Sequence, residues 1–165
     1  MPTTERIQQL IRAYTDGPRL LEAAVTGLSD QELRFKPGPE HWSILESVVH
    51  LTDADLVAAT RLRYVLAQPG STLVSFDQDA WATALHYSSQ ALTPALALFR
   101  AVRASTGELL RSAPADAWGY AGVNTQSGPQ TVEFIVNRFV EHLEGHVKTI
   151  AKRRQQYAEA VGGRR

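Results

Sequence analysis

The chain has 165 residues, with 17 Lys and Arg balanced by 17 Asp and Glu, no cysteine and 44% apolar residues, which predicts one domain of ordinary size. The balanced charge supplies no basic field for holding phosphates, so the composition argues against nucleic-acid binding. The lack of cysteine excludes a disulfide framework, a thiolate nucleophile and a thiolate metal site, so a bound metal would need His, Asp or Glu ligands.

The first part of the chain predicts two long helices. Helix one begins at Thr3-Thr4 and carries apolar residues at helical spacing, although Gly17-Pro18 is expected to kink or briefly interrupt it. The segment 36–40 contains two prolines and a glycine and cannot continue a helix. Helix two then begins near Ser43 and ends at Gln68-Pro69-Gly70, with strong helical periodicity between these points.

The second part of the chain predicts two more helices and two long connections. Residues 71–89 lack a clear period, which indicates a crossover connection with a short helix around 77–85. Helix three is expected over about 90–112, a loop over 113–130 and helix four over about 131–157. Four long amphipathic helices without an alternating strand pattern predict an all-α fold, a four-helix bundle with a long crossover connection.

The same pattern predicts the limits and the location of the domain. We expect a single helical-bundle domain over residues 1–160 and a frayed tail over 161–165. No run approaches the roughly 18 consecutive apolar residues of a membrane span, and the opening MPTTERIQQLIR lacks the apolar stretch of a signal peptide. We therefore expect a cytoplasmic protein that does not contact a membrane.

Two histidines lie one turn apart on helix four. A helical projection places His142 and His146 on one flank of an apolar stripe formed by Val132, Phe139, Leu143, Val147 and Ile150. The spacing of four residues lets two imidazoles converge on one ion when the other ligands come from another helix. The alternative is a pair of partly buried histidines that form hydrogen bonds at the edge of the bundle.

One face of helix two combines a histidine with polar and small residues. His50 is flanked by Glu46 and Asp53, and the small Ala54 and Ala58 leave space one and two turns beyond it. A cavity with polar walls is what a metal ion and a substrate require. Each carboxylate could hold the second ring nitrogen of His50, act as a general base or be an ordinary surface acid. A lone histidine such as His50 is also a common structural residue.

Two segments resemble the motifs of the DinB/YfiT-like superfamily. Trp42–Asp53, with the sequence WSILESVVHLTD, is similar to a motif of the form W-S, short spacer, H-L-x-D, and EHLEGHVKTI over 141–150 is similar to H-x-x-x-H. Some YfiT-like members carry two adjacent histidines in the first motif, where this chain has Val49-His50. The similarity to the YfiT-like branch extends to Phe76-Asp77, Trp81, Tyr87, the run 95–103 and Trp118, so it covers nearly the whole chain.

The resemblance implies a bundle, usually dimeric, with a divalent ion on three histidines. By position these ligands are His50, His142 and His146, and imidazoles with open coordination positions suit zinc, nickel, iron or manganese. Family members are described as metal-dependent hydrolases or as thiol S-transferases. The implied function is therefore hydrolysis of a small substrate or transfer of a low-molecular-weight thiol, which would be a cofactor because the chain has no cysteine.

Three further residues receive roles in this hypothesis. Glu46 or Asp53 would orient a ligand or act as a base, and Arg61 would meet an anionic group of the small-molecule substrate. Two other functions stay open. One is a non-catalytic stress-response bundle with a structural metal, and the other is a metal-free bundle that binds a small hydrophobic ligand among Trp42, Trp81 and Trp118.

Overall fold

Four long helices dominate the computed structural model, which describes residues 2–163. In chain order, the helices are α1 (Thr4–Val25), α2 (Asp30–Arg34), α3 (Ile44–Ala67), α4 (Gln78–Ala84), α5 (Leu92–Ser112) and α6 (Val132–Gly162). Single 3₁₀ turns lie at Tyr87–Ser89 and Ala115–Gly119. Helices α1 and α3 each pack against both α5 and α6. This arrangement confirms the predicted four-helix bundle with a long connection between α3 and α5.

Hydroxyl side chains begin three of the long helices where the sequence predicted. Thr3 Oγ1 accepts from the backbone N–H of Arg6, and Thr131 Oγ1 accepts from that of Phe134. Ser43 Oγ accepts from the backbone N–H of Glu46 at 3.2 Å. Each bond satisfies an N–H group that the first helical turn leaves without a partner. These caps fix the points at which α1, α3 and α6 start.

The buried apolar faces of the four helices form the core. Of the stripe predicted on the last helix, Val132, Phe139, Leu143 and Ile150 are buried, and Val147 is partly buried against the same core. The largest fully buried side chains include Trp118, Tyr14, Tyr87, Phe99 and Leu21. Burial of this apolar surface is the main favourable contribution to the stability of a bundle.

Helix α1 continues through Gly17 and Pro18, where an interruption was predicted. Pro18 has no N–H to donate to the carbonyl of Tyr14, and Arg103 Nη1 from α5 donates to that oxygen at 3.1 Å instead. Gly17 makes room for this guanidinium, since a Cβ at position 17 would lie only 2.2 Å from Arg103 Nη1. The buried arginine therefore replaces the hydrogen bond that proline removes, and the helix does not break.

A small sheet occupies part of the connections, which corrects the prediction of a loop over residues 113–130. Its strands are β1 (Thr72–Leu73), β2 (Ala121–Asn124) and β3 (Gly128–Thr131). Strand β1 pairs parallel to β2, and β2 pairs antiparallel to β3. The strands have two to four residues, too few for an alternating pattern to show in the sequence. The sheet holds the α3–α4 connection beside the loop that precedes α6.

The end of the chain differs from the prediction in one respect. Helix α6 extends to Gly162, so residues 161 and 162 are helical although a frayed tail was expected over 161–165. Residues 164 and 165 of that predicted tail lie outside the described residues. None of the helices within residues 2–163 has both the length and the apolar character needed to cross a membrane.

Candidate metal centre

Three histidines from two helices meet inside the bundle. His50 on α3 and His142 and His146 on α6 each present a ring nitrogen, and these nitrogens all lie within 4.8 Å of one another. The ring centroids are 4.7 to 5.1 Å apart. The spacing of four residues on α6 places two rings on one face, and the packing of α3 against α6 brings the third ring to them. We call these residues the histidine cluster.

The separation of two ring nitrogens fits a shared ion. His50 Nε2 and His142 Nε2 are 3.1 Å apart. Two imidazole nitrogens bound to one ion at about 2.1 Å, with about 95° between the bonds, would have this separation. A group of three neutral nitrogen donors leaves coordination positions open, as in catalytic rather than closed structural metal sites. The geometry and the donor set of the histidine cluster are therefore suited to a divalent ion.

Burial keeps the three imidazoles neutral. Desolvation, with a contribution from His146, lowers the pKa of His50 to about 4. Desolvation, with contributions from His146, His50, Arg138 and Arg103, lowers the pKa of His142 to about 3. Desolvation also lowers the pKa of His146. All three rings therefore keep a free lone pair at neutral pH, which ligation of a metal requires.

The Nδ1 atoms of the histidine cluster lack hydrogen-bond partners among the described residues. Nδ1 of His50, His142 and His146 is buried in each case and makes no hydrogen bond within the part of the chain that the structure describes. The expected contact from Glu46 or Asp53 to the second nitrogen of His50 is therefore absent. An aromatic ring supports His50 instead, since the Trp42 ring centroid lies 4.7 Å from that of His50.

Glu46 is engaged in capping α3. Its Oε2 accepts from the backbone N–H of Ser43 at 2.8 Å, and its Oε1 accepts from Lys36 Nζ at 2.7 Å. Burial raises the pKa of Glu46, but the hydrogen bonds from Lys36 and Ser43 outweigh it and hold that pKa below its ordinary value. Both carboxylate oxygens have protein partners, which is the arrangement of a helix cap and an ion pair.

Asp53 also bonds to a neighbouring side chain. The Tyr87 hydroxyl donates to Asp53 Oδ2 at 2.6 Å, and Tyr87 is fully buried. Burial and the Asp53 carboxylate raise the pKa of Tyr87, so the phenol stays protonated and keeps donating. This bond ties α3 to the 3₁₀ turn before α5. Asp53 is not a member of the histidine cluster.

A cavity of about 390 Å³ opens beside the histidine cluster. His50 and His142 line it, together with Ala54, one turn beyond His50. Ala54 thus provides the space that was expected, whereas Ala58 is fully buried in the core. The structure also places Arg61 in the wall of this cavity. The remaining wall contains Phe134, Ile135, Arg138 and Phe139 from α6, and Ser75, Phe76, Gln78, Asn124, Gln126, Ser127 and Gln130 from the connections.

The polar wall from the connections was not predicted. Asn124 organises it, because its Oδ1 accepts from Ser75 Oγ, from Ser127 Oγ and from the backbone N–H groups of Gln126 and Ser127. The sequence offered only the turn-forming Asn, Ser and Gly within residues 124–128 as a signal, and the position of this loop depends on the small sheet. The helices therefore form one part of the cavity wall, and the connections form the rest.

A buried ion pair near the histidine cluster was also missed. Arg103 Nε and Nη2 donate to the two carboxylate oxygens of Asp55 at 2.9 and 3.1 Å, and both side chains are fully buried. Arg103 Nη2 also donates to the carbonyl of Phe139, three residues before His142 on α6. The pair thus connects α3 and α5 to the helix that carries two of the histidines.

The three tryptophans have separate positions. Trp118 is fully buried in the core, and Trp42 packs on His50. Trp81 lines a second cavity, where it also packs against Phe76 with ring centroids 4.6 Å apart. The tryptophans do not surround one common cavity, so the binding site expected among all three is not formed.

The chain matches one family over most of its length. The sequence profile described as the DinB superfamily matches residues 13–150. A protein of Geobacillus thermodenitrificans named "Putative metal-dependent hydrolase" is 29% identical over 108 residues, which cover 66% of this chain and 61% of the relative, so less than two thirds of that relative is matched. A protein of the same description from Geobacillus kaustophilus is 25% identical over 91% of this chain and 85% of the relative.

A solved structure has the same fold. YfiT from Bacillus subtilis, described as "a probable metal-dependent hydrolase with an unusual four-helix bundle topology", superposes with a TM-score of 0.89 and 19% sequence identity. The match covers 96% of this chain and 91% of that chain. At this identity the likeness establishes the shared four-helix fold.

Proposed function

Because this chain belongs to the DinB superfamily, we propose that it is a divalent-metal-dependent hydrolase that acts on a small-molecule substrate. His50, His142 and His146 are the proposed metal ligands. The observation that carries the proposal is the convergence of three neutral imidazoles beside a cavity of about 390 Å³. The names of the similar proteins agree with this chemistry.

The residues of the site have separable roles in this proposal. The three imidazoles bind the ion and keep it at the wall of the cavity. A bound divalent ion would lower the pKa of water and polarise the bond to be cleaved. Arg61 lies where it would hold an anionic part of the substrate. The Trp42 ring fixes the orientation of His50 from one side, and the phenyl ring of Phe139 packs 5.8 Å from His142 between ring centroids.

The roles of Glu46 and Asp53 are narrower than the sequence suggested. Glu46 would act by fixing the start of α3, and Asp53 by tying α3 to Tyr87, since both carboxylates bond to other side chains. A general base for the hydrolysis would then be a group other than these two carboxylates. Neither Glu46 nor Asp53 therefore transfers a proton in the proposed reaction.

Transfer of a low-molecular-weight thiol is the second reaction to test, with the thiol as a cofactor because the chain has no cysteine. A purely structural metal is less suited to the site, because a closed site takes four protein ligands and the histidine cluster provides three beside an open cavity. A homodimer and a cytoplasmic location stay predictions.

Metal content tests the proposal directly. We expect untagged protein, purified without added metal, to carry close to one divalent ion per chain. His50→Ala, His142→Ala and His146→Ala should each lose it, whereas His41→Ala, which changes an exposed histidine before α3, should keep it. Wild-type protein that also fails to bind added zinc, nickel, iron or manganese would overturn the proposal. Assays of ester and amide cleavage, with and without added thiols, then separate hydrolysis from thiol transfer.

A further inference from the structure

The cavity beside the histidine cluster has a cationic wall. Arg61 from α3 and Arg138 from α6 line it, and none of its described lining residues is acidic. Neither arginine forms an ion pair with any residue between positions 2 and 163. The other polar lining groups are neutral amides and hydroxyls of Gln, Asn and Ser. Two guanidinium groups facing neutral hydrogen-bonding groups favour a negatively charged ligand.

The Arg61 side chain is held in place, but only some of its hydrogen-bond donors have acceptors among the described residues. Its Nη2 donates to the carbonyl of Val74 at 2.5 Å, which fixes the side chain against the α3–α4 connection. Its Nε is buried and has no hydrogen-bond partner among the described residues. A buried charged donor without a partner is costly, so this position is adapted to an acceptor that the protein itself does not supply.

An apolar groove continues from Arg61. A second cavity of about 750 Å³ shares Arg61, Ser75 and Phe76 with the first. Its other walls are mainly apolar: Leu56, Val57, Tyr64, Leu73, Val74, Ala80 and Trp81. The one acid in this wall, Asp77, is engaged in capping α4 by accepting from the backbone N–H groups of Asp79 and Ala80. Val74 and Tyr64 are 70% and 51% exposed, so the groove is open to a ligand.

We propose that the substrate is an amphiphilic anion: a carboxylate or phosphate group bound between Arg61 and Arg138, with an apolar chain in the groove that Tyr64, Val74 and Trp81 line. Arg61 marks the junction, because it belongs to both cavities. The anion-binding site itself is inferred from the two arginines and their surroundings, and it does not depend on the proposed hydrolysis. Its assignment to the substrate of hydrolysis rests on the proposed function, because His50 and His142 of the histidine cluster line the same cavity.

Binding of three matched probes tests this proposal by calorimetry on metal-free and zinc-loaded protein. Octanoate and octyl phosphate carry the two anionic groups, and octanol carries the chain alone. We expect octanoate or octyl phosphate to bind at least tenfold more tightly than octanol, and the tighter of the two identifies the anion. Arg61→Met and Arg138→Met should each weaken that binding about tenfold or more. Arg12→Met, which removes an exposed arginine of α1, should leave it unchanged.

The groove has its own variant. Tyr64→Ala removes an exposed apolar wall and should weaken all three eight-carbon probes severalfold, without changing metal content. Equal affinity of wild type and both arginine variants for the two anions, or an anion affinity no higher than that of octanol, would overturn the proposal. Because metal-free protein is included, a chain that binds the anions but no metal would contradict only the proposed function. A chain that holds metal but binds neither anion would contradict only this inference.

Discussion

Two buried polar clusters lie close together in this bundle, and they are satisfied in opposite ways. The histidine cluster joins α3 to α6, and the cluster of Tyr14, Asp55 and Arg103, here called the ion-pair cluster, joins α1, α3 and α5. His50 and Asp55 are five positions apart on α3. The ion-pair cluster finds its partners within the protein, whereas the Nδ1 atoms of the histidine cluster find none among the described residues.

The ion-pair cluster contains a nearly complete set of hydrogen bonds. Arg103 donates to both oxygens of Asp55 and to the carbonyls of Tyr14 and Phe139, and the Tyr14 hydroxyl donates to Asp55 Oδ1 at 3.1 Å. The guanidinium also lies 4.4 Å from the Tyr14 ring centroid and 4.6 Å from that of Phe99. A buried charge pair with these partners is consistent with a structural role.

The Nδ1 atoms of the histidine cluster lack such partners among the described residues, and His50 and His142 line a cavity. Three buried Nδ1 atoms without a hydrogen-bond partner among the described residues carry a free-energy cost that a packed apolar core would avoid. We propose that this difference distinguishes residues that hold the bundle together from residues that bind a ligand.

Loss of one member of the ion-pair cluster should have the largest effect on stability. Arg103→Met leaves Asp55 buried without its partner and removes the donor to the Tyr14 carbonyl, so we expect a loss of about 3 to 5 kcal/mol in the free energy of unfolding. Urea unfolding measures this loss. The double variant Asp55→Leu/Arg103→Met, which removes both charges, should lose less than the single variant. A single-variant loss below about 1 kcal/mol would contradict a structural role for this cluster.

Metal should stabilise the protein through the histidine cluster alone. Zinc at about a hundredfold its Kd should raise the free energy of unfolding of wild type by about 2.7 kcal/mol, because the ion binds only the folded state. The same zinc concentration should not stabilise His142→Ala, and it should still stabilise His86→Ala, which changes an exposed histidine. Thermal unfolding with and without a chelator measures the difference. Equal stabilisation of wild type and His142→Ala by zinc would show that the zinc ion binds outside the histidine cluster.

A methyl group at Gly17 should disturb the ion-pair cluster. The Cβ of Gly17→Ala would lie 2.2 Å from Arg103 Nη1 and 2.7 Å from Leu143 Cδ2, so we expect a loss of about 1 to 3 kcal/mol in unfolding free energy. Gly145→Ala on α6 is the matched control, because a Cβ there meets nothing within 4 Å. That variant should gain up to about 1 kcal/mol from helix propensity. An equal gain in both variants would show that Arg103 moves aside at little cost.

The sequence predicted the parts of this molecule that depend on local pattern. The cap at Thr3 and the periodic apolar faces are local, and they indicated the four helices at nearly their observed limits. The two histidines on α6 could be placed on one face from their spacing. Bringing His50 to them relied on the family resemblance, because the packing of α3 against α6 is not encoded in any single segment.

Long-range partners explain what the sequence did not predict. The ion-pair cluster joins residues 41 to 89 positions apart, so no local pattern relates Asp55 to Arg103. Pro18 looked like a helix breaker because the donor that compensates for it comes from α5. The polar cavity wall depends on a sheet whose strands are too short to show a pattern.

A change at Glu46 has the smallest expected effect on stability but separates the two clusters most sharply. Glu46 lies one turn before His50, yet both of its carboxylate oxygens have hydrogen-bond partners within the protein, as in the ion-pair cluster. Hydrogen bonds from Lys36 and Ser43 keep its pKa below the ordinary 4.5. The folded state therefore binds fewer protons than the unfolded state as pH falls through this range. The stabilisation is present above the unfolded pKa and is lost as pH falls through the lower folded pKa.

Glu46→Gln should accordingly cost about 1 kcal/mol in unfolding free energy at neutral pH. The difference from wild type should shrink as the pH falls through the lowered folded-state pKa of Glu46, because wild-type Glu46 then becomes protonated as well. Urea unfolding over this pH range measures the difference, and Glu40→Gln, which changes an exposed glutamate before α3, is the control. Metal content and hydrolysis should stay close to wild type at neutral pH. The contrary result would be that Glu46→Gln abolishes hydrolysis while the free energy of unfolding stays unchanged. Glu46 would then act together with the histidine cluster. The presence of hydrogen-bond partners within the protein would then not separate structural from functional residues in this bundle.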